Sequence, residues 1–216
     1  MKLNNGIVGA STLFALVFLY CQFCKVDNKK SPGPDTMKEN PIVSTAPLPI
    51  AEPQINKDSI TKRIGVLVGN FREEKDEFRK ISFYQPKHIG KYWPRRKAVY
   101  AYCNSEGGVF LVSNWYSDDW IFHNSITFLI GDETLTTDVV PDYSDNKDTD
   151  INDGVYEHIT FTNELPIFRA VSENGNMPIK VRFNGKKGYF DITLSQSDKN
   201  SIKTAYELSE CLRALK

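Results

Sequence analysis

The sequence predicts an α+β domain, a mostly antiparallel sheet of about six or seven strands with a C-terminal helix packed on it. Three observations carry this expectation. Runs of period-two alternation separated by Gly-containing turns recur between Ala98 and Leu194. Ile202, Ala205, Leu208, Leu212 and Leu215 form one helical stripe at the end of the chain. Strand runs with helices at the edges and end, in this order, are the pattern of an α+β fold.

The elements follow in chain order. Asn70 is placed to cap a short helix that carries Glu73 and Glu74 in its first turn. Ala98 to Cys103 and Val109 to Trp115 read as a hairpin through Ser105-Glu106-Gly107-Gly108. Trp120 to Ile130 alternates as a strand, with Trp120, Phe122, Asn124, Ile126, Phe128 and Ile130 on the core face and His123 on the mixed face. Gly131-Asp132 turns it into a second strand, Glu133 to Val140. Asn163 is placed to cap a helix through Phe168 and Val171 that stops at Gly175. The last hairpin must keep Ile179, Val181 and Phe183 on one face with Phe190, Ile192 and Leu194. Pairing Val181 with Phe190 does so, and sets Lys180 beside Asp191 and Arg182 beside Tyr189. In this register Val181 and Phe190 face the stripe of the final helix, which Ser195 or Ser197 caps.

The whole chain has 216 residues, 27 basic and 27 acidic, so its formal charge of zero gives no electrostatic case for nucleic acid. With 40% hydrophobic and 25% charged residues it is neither wholly disordered nor multi-spanning. Four cysteines are too few for a disulfide scaffold. Cys21 and Cys24 close an apolar run, and Cys103 and Cys211, inside the domain, are expected as free buried thiols in preference to a disulfide.

That apolar run, Gly6 to Phe23, holds eighteen residues without a charge, preceded by Lys2 and followed by Lys25, Lys29 and Lys30. As a helix it spans roughly 27 Å, close to a ~30 Å hydrocarbon core. Residues 1–24 therefore read as an uncleaved membrane anchor. The rival is a lipoprotein-like signal cleaved before Cys21 or Cys24, but Tyr20 and Phe23 stand where small residues belong. The lysines alone would put the domain on the cytoplasmic side. Residues 25–57 carry six of the eleven prolines and read as a disordered tether; residues 58–216 are the globular domain, large enough to bury its own core.

No cofactor is expected, because no phosphate loop, dinucleotide fingerprint or nucleophile elbow is present. The acidic stretch Pro141 to Gly154 fails the calcium-loop template, since Asp153 stands where the turn glycine belongs, and reads as a solvated loop. His88, His123 and His158 lack zinc-site spacings. Ser113, His123 and an aspartate would assemble a nucleophile with its base, but such a triad is defined by geometry and not by order.

Two constellations stand out. Trp115, Tyr116, Asp118, Asp119 and Trp120, with Phe122, surround a Ser-Asp-Asp turn; this is either a core plug or an aromatic-walled patch suited to a sugar, cationic or peptide ligand. Glu157 shares a strand face with Val155, Ile159 and Phe161, so it needs a partner, for which Arg72, Arg169 or Arg182 are available. The ligand-binding candidates are thus Trp115, Tyr116, Asp118, Asp119, Trp120, Glu157 and Arg182. With no activated nucleophile, the function expected is that of a membrane-tethered, non-enzymatic binding or interaction domain for a protein, peptide or sugar. The alternatives are an envelope hydrolase using Glu157, His158 and Asp119, and a structural envelope protein.

Asp76-Glu77-Phe78, Phe83-Tyr84-Gln85-Pro86-Lys87-His88, Tyr116 to Phe122, Glu157, Ile179 to Gly185 and Tyr189-Phe190-Asp191 occur in an order that resembles an uncharacterised family of bacterial membrane-tethered or lipoprotein-like envelope proteins. The likeness covers roughly residues 71–215. Relatives commonly carry Trp-Glu-Trp where this chain has Tyr156-Glu157-His158. The resemblance implies a location outside the cytoplasm, against the lysine count, and implies no reaction.

Overall fold

Asn56 opens the domain: its side-chain oxygen accepts the Ser59 N–H at 3.2 Å and caps α1, Lys57–Val68. The structure is a computed structural model and describes residues 56–216; the apolar run 6–23 and nearly all of the linker lie outside the described residues. No helix among the described residues is long and apolar enough to cross a membrane.

The helix expected after Asn70 is instead β1, Phe71–Asp76, paired antiparallel with β2, Ile81–Pro86. Asp76 decides the matter, since its carboxylate accepts the N–H groups of Phe78 and Arg79 at 3.1 and 3.0 Å and closes a hairpin turn. The helix lies one segment earlier, where Ile60, Ile64, Leu67 and Val68 repeat at helical spacing.

β3 (Ala98–Asn104) and β4 (Val109–Ser117) form the expected hairpin. β5 (His123–Ile130) pairs with β6, which ends at Thr136 and not at Val140. The acidic stretch contains an edge strand, β7 (Lys147–Ile151), paired with β8 (Val155–Phe161). α2 (Leu165–Glu173) follows. Asn163 is not its cap: its φ of 64° belongs to the turn, and Glu164 occupies the cap position. β9 (Ile179–Gly185), β10 (Gly188–Thr193) and α3 (Gln196–Ala214) complete the chain. Ser195 caps α3 as expected, accepting the Asp198 N–H at 3.1 Å.

The strands divide into two antiparallel sheets: six in the order β1-β2-β3-β4-β8-β7 and four in the order β10-β9-β5-β6. α3 packs on β3, with α1 and α2 against its flanks. One core cluster joins Val99, Ala101 and Cys103 of β3 with Ile202, Ala205 and Leu208 of α3, and joins Trp115, Ile159 and Phe161 with Phe128, Val181 and Phe183 of the smaller sheet. Each fully buried Phe or Ile there contributes about 1.5–3 kcal/mol. The opposite face of the six-stranded sheet carries Ala98, Tyr100 and Val112, with Ile89 from the segment before β3. Cys103 and Cys211 are both free, and burial pushes the Cys103 thiol up to about 12.

The last hairpin has the expected parity but slips by two residues. Val181 pairs with Ile192, Phe183 with Phe190 and Arg182 with Asp191. The turn is the tight pair Lys186-Lys187 between two glycines, and Gly188 has a φ of 123° that the longer turn would not need. Lys180 therefore faces Thr193, and Asp191 takes Arg182 as its ion partner at 2.7 Å while the guanidinium lies 4.0 Å over the Tyr189 ring. Val181 is buried in the core cluster that also holds Ile202, Ala205 and Leu208 of α3, whereas Phe190 stays 43% exposed beside Trp115. Because both partners of the Arg182–Asp191 pair are nearly half exposed, Arg182→Ala is expected to leave the chemical-denaturation midpoint unchanged. Val181→Asp, which buries an unpaired carboxylate, should lower it sharply; equal shifts would overturn the facing assignment.

Candidate functional site

β4 and β5 belong to different sheets, so the chain between them, Asp118 to Phe122, must cross from one to the other. Phe122 makes this crossing at a φ of 55°, a left-handed conformation that a bulky side chain adopts only under outside constraint. The constraint is Glu157. Its two oxygens accept the consecutive N–H groups of Ile121, Phe122 and His123, each at 2.7 Å, which makes the crossover a backbone nest around a carboxylate.

Glu157 also receives His123 Nδ1 at 2.9 Å, and His123 Nε2 lies 2.8 Å from the Ser113 hydroxyl. The three side chains are fully buried. Burial alone would raise the Glu157 carboxyl, but His123 and the backbone donors outweigh it and hold it below the ordinary value. Burial pushes the His123 imidazole down against the pull of Glu157, so the ring is neutral, donates from Nδ1 and accepts the Ser113 O–H at Nε2. Lys147 closes the network by donating to the His123 carbonyl at 2.8 Å.

None of the arginines anticipated as partners reaches Glu157: Arg72 pairs with Glu74, Arg169 meets Tyr206 and Arg182 pairs with Asp191. His123 is not an exposed strand residue either. A bulge between His123 and Ser125 resets the alternation, so that His123 turns inward with Ile126 and Phe128. The connectivity Ser113–His123–Glu157 is that of a nucleophile, base and acid, yet all three groups are sealed from any substrate, and what the relay does in this fold is fasten one sheet to the other.

Around this buried anchor the sequence candidates separate. Trp115 is buried, donates from its indole nitrogen to the Asp119 carbonyl at 3.0 Å and lies under the Lys97 ammonium, 4.3 Å from the ring centroid. Tyr116 points to the other face of the sheet, where its hydroxyl donates to the Asp153 carbonyl at 2.5 Å. Asp118 is exposed. Asp119 is exposed and bonded to Lys187 at 2.9 Å, and Lys187 with the Trp120 N–H holds its carboxyl below the ordinary value. Arg182 belongs to the last hairpin and takes no part. Glu157, His158 and Asp119 do not converge, because Glu157 and His158 are neighbours on β8 and face opposite sides of the sheet while Asp119 is at the surface.

What does assemble is a surface patch. Trp120 and Phe122 stack with centroids 6.0 Å apart and planes 13° from parallel, and Lys187 sits 5.3 Å over the Phe122 ring. The Lys186-Lys187 turn is docked on the crossover by N–H bonds to the carbonyls of Phe122 and Ile121 at 3.3 and 3.2 Å. Gly185 permits this approach, since a Cβ there would collide with the Ile121 carbonyl. Lys187 and the role of His123 are hidden in the sequence because both depend on contacts between separate strands and loops, Lys187 with Asp119 68 positions away and His123 with Glu157 34 positions away. Comparison of the chain with family models, with curated proteins and with solved structures finds no match.

Proposed function

We propose that the chain is a membrane-tethered, extracytoplasmic binding or interaction domain without catalysis of its own, and that it meets a protein or peptide partner through the Asp119, Trp120, Phe122 and Lys187 patch. One observation carries the reading. The fold spends a buried carboxylate and three backbone donors on holding Phe122 in a strained conformation whose outcome is an aromatic pair left at the surface. Backbone strain persists where surrounding structure over-determines it, and it clusters at functional sites. Surface aromatic rings with a lysine and a carboxylate beside them suit a protein contact, in which Trp and other aromatics carry much of the binding energy. The tether is supported by the uncharged run 6–23, and the outer location by the family resemblance alone.

A photo-reactive aromatic amino acid at position 120 of the full-length chain, expressed in bacterial cells, tests the proposal. The expected result is a discrete adduct that mass spectrometry resolves to one partner. It should disappear when Phe122→Ala is added, and be missing when the probe is placed at Phe78, which is fully exposed on the β1–β2 turn. Adducts of equal yield at both positions, or none at position 120, would overturn it.

A further inference from the structure

A second site, independent of that patch, lies on the outer face of the six-stranded sheet. Lys91, Tyr92, Trp93, Asp150, Asn152 and Tyr156 line an open cleft of about 230 Å³. Its aromatic wall is fixed in place. The Trp93 indole lies parallel to the His158 imidazole, 4.8 Å between centroids and 4° between planes, and leans on Tyr156 at 6.0 Å.

The strap that carries Trp93 is tied down on both sides of it. Asn114, buried in β4, donates its two amide hydrogens to the carbonyls of Pro94 and Arg96, both at 2.8 Å. Arg96 forks onto Asp198 at 2.6 and 2.8 Å, and His88 reaches the same carboxylate at 3.2 Å. Burial would raise the Asp198 carboxyl, but His88, Arg96 and Ser195 hold it below its ordinary value, so the clamp is charged. Arg95 adds a bond to Asp153 at 3.1 Å, which links the strap to the β7–β8 turn that supplies Asn152. A binding surface whose rings are already immobile loses little freedom on association.

The chemistry of the lining selects a ligand class. An indole face offers dispersion contact to a flat apolar surface. Around it stand an ammonium, a carboxylate and a primary amide, all on exposed residues, which supply donors and acceptors in close array and no net charge. A pyranose ring matches both features, since it shows a patch of C–H groups on one face and a rim of hydroxyls that donate and accept together. The volume falls below the ~300 Å³ at which pockets begin to enclose drug-sized ligands, so the cleft holds one ring and leaves the rest of a chain outside.

We infer that this cleft binds one neutral hexopyranose unit of an oligosaccharide, stacked on Trp93 and hydrogen-bonded by Asp150, Asn152 and Lys91.

The test is calorimetric titration of the full-length chain in a zwitterionic detergent that carries no sugar headgroup. The probes are cellotetraose, maltotetraose and the β-1,4-linked N-acetylglucosamine tetramer, with uridine and tetra-alanine as non-saccharide arms. At least one tetrasaccharide should bind, Trp93→Ala should weaken it at least tenfold, and Trp120→Ala should leave it unchanged. Asp150→Ala, a change on an exposed edge strand that the fold does not need, should weaken it severalfold and serves if Trp93→Ala fails to fold. No binding by any tetrasaccharide, binding indifferent to both Trp93→Ala and Asp150→Ala, or binding of uridine or the peptide in place of a saccharide would overturn the inference. Failure here leaves the photo-adduct at position 120 unaffected, so the two proposals fall separately.

Discussion

Glu157→Ala should remove about 3 kcal/mol or more, since each donor left unsatisfied in the interior costs about 1–3 kcal/mol, and for a domain held by about 5–15 kcal/mol this is a large part of the margin. The carboxylate satisfies four donors, the N–H groups of Ile121, Phe122 and His123 and the His123 imidazole, and all but the Phe122 N–H are in the buried interior. Glu157→Gln keeps the shape but points an amide at donors. It should cost less than alanine but still about 2 kcal/mol or more, within the range for groups left unsatisfied in the interior. Ser113→Ala removes only the outermost hydroxyl, whose acceptor is a neutral ring, and should cost about 1 kcal/mol. Urea denaturation of the three variants gives the order Ala, Gln, then Ser113→Ala. A Glu157→Ala loss below about 1 kcal/mol would mean that the relay does not fasten the sheets, and would also withdraw the reason given for the Phe122 conformation.

The parts of this fold legible in the sequence are those that local pattern controls. α3 shows its stripe and its Ser195 cap, the β3–β4 hairpin shows its Gly-containing turn, and the parity of β9 and β10 follows from alternation alone. Two kinds of information are missing from such patterns. Asn70 and Asn163 have the right chemistry for caps, but Asp76 and the φ of Asn163 commit those segments to turns that only strand partners explain. The bulge at His123 changes which face a residue takes without changing the composition of the strand, and so moves the histidine from an expected surface position into the core. For the site, alternation was enough to place Glu157 on the apolar face and to demand a partner for it. Its partners are mostly backbone N–H groups, which every residue has, so no side-chain inventory could find them. Trp93 is not legible as a site residue, because nothing in Lys91-Tyr92-Trp93 shows that a strap folds back over β8; what fixes the strap is the contact of Arg96 with Asp198, 102 residues apart.

Acid should weaken the domain well before its carboxylates titrate. Burial pushes the His158 imidazole down to about 4, against about 6.5 in an unfolded chain, and lowers His123 as well. Both rings are depressed, so between those two values the unfolded chain binds more protons than the folded one, and stability rises with pH through the window. The contribution is fully present above about pH 6.5 and is lost as the pH falls towards 4; for His158 alone it amounts to on the order of 3 kcal/mol. Glu157 and Asp198 are held low in the folded state, so their contribution goes only at still lower pH, as each approaches its own folded value. Denaturation midpoints at pH 7.5, 6 and 4.5 should therefore fall in that order. His158→Phe, which keeps a ring under Trp93 and cannot take a proton, should flatten much of the fall while leaving the strap in place. A midpoint that does not move between pH 7.5 and 4.5, or a slope unchanged in His158→Phe, would mean that His158 is not buried as a neutral ring, and the stack that holds Trp93 rigid would lose its support.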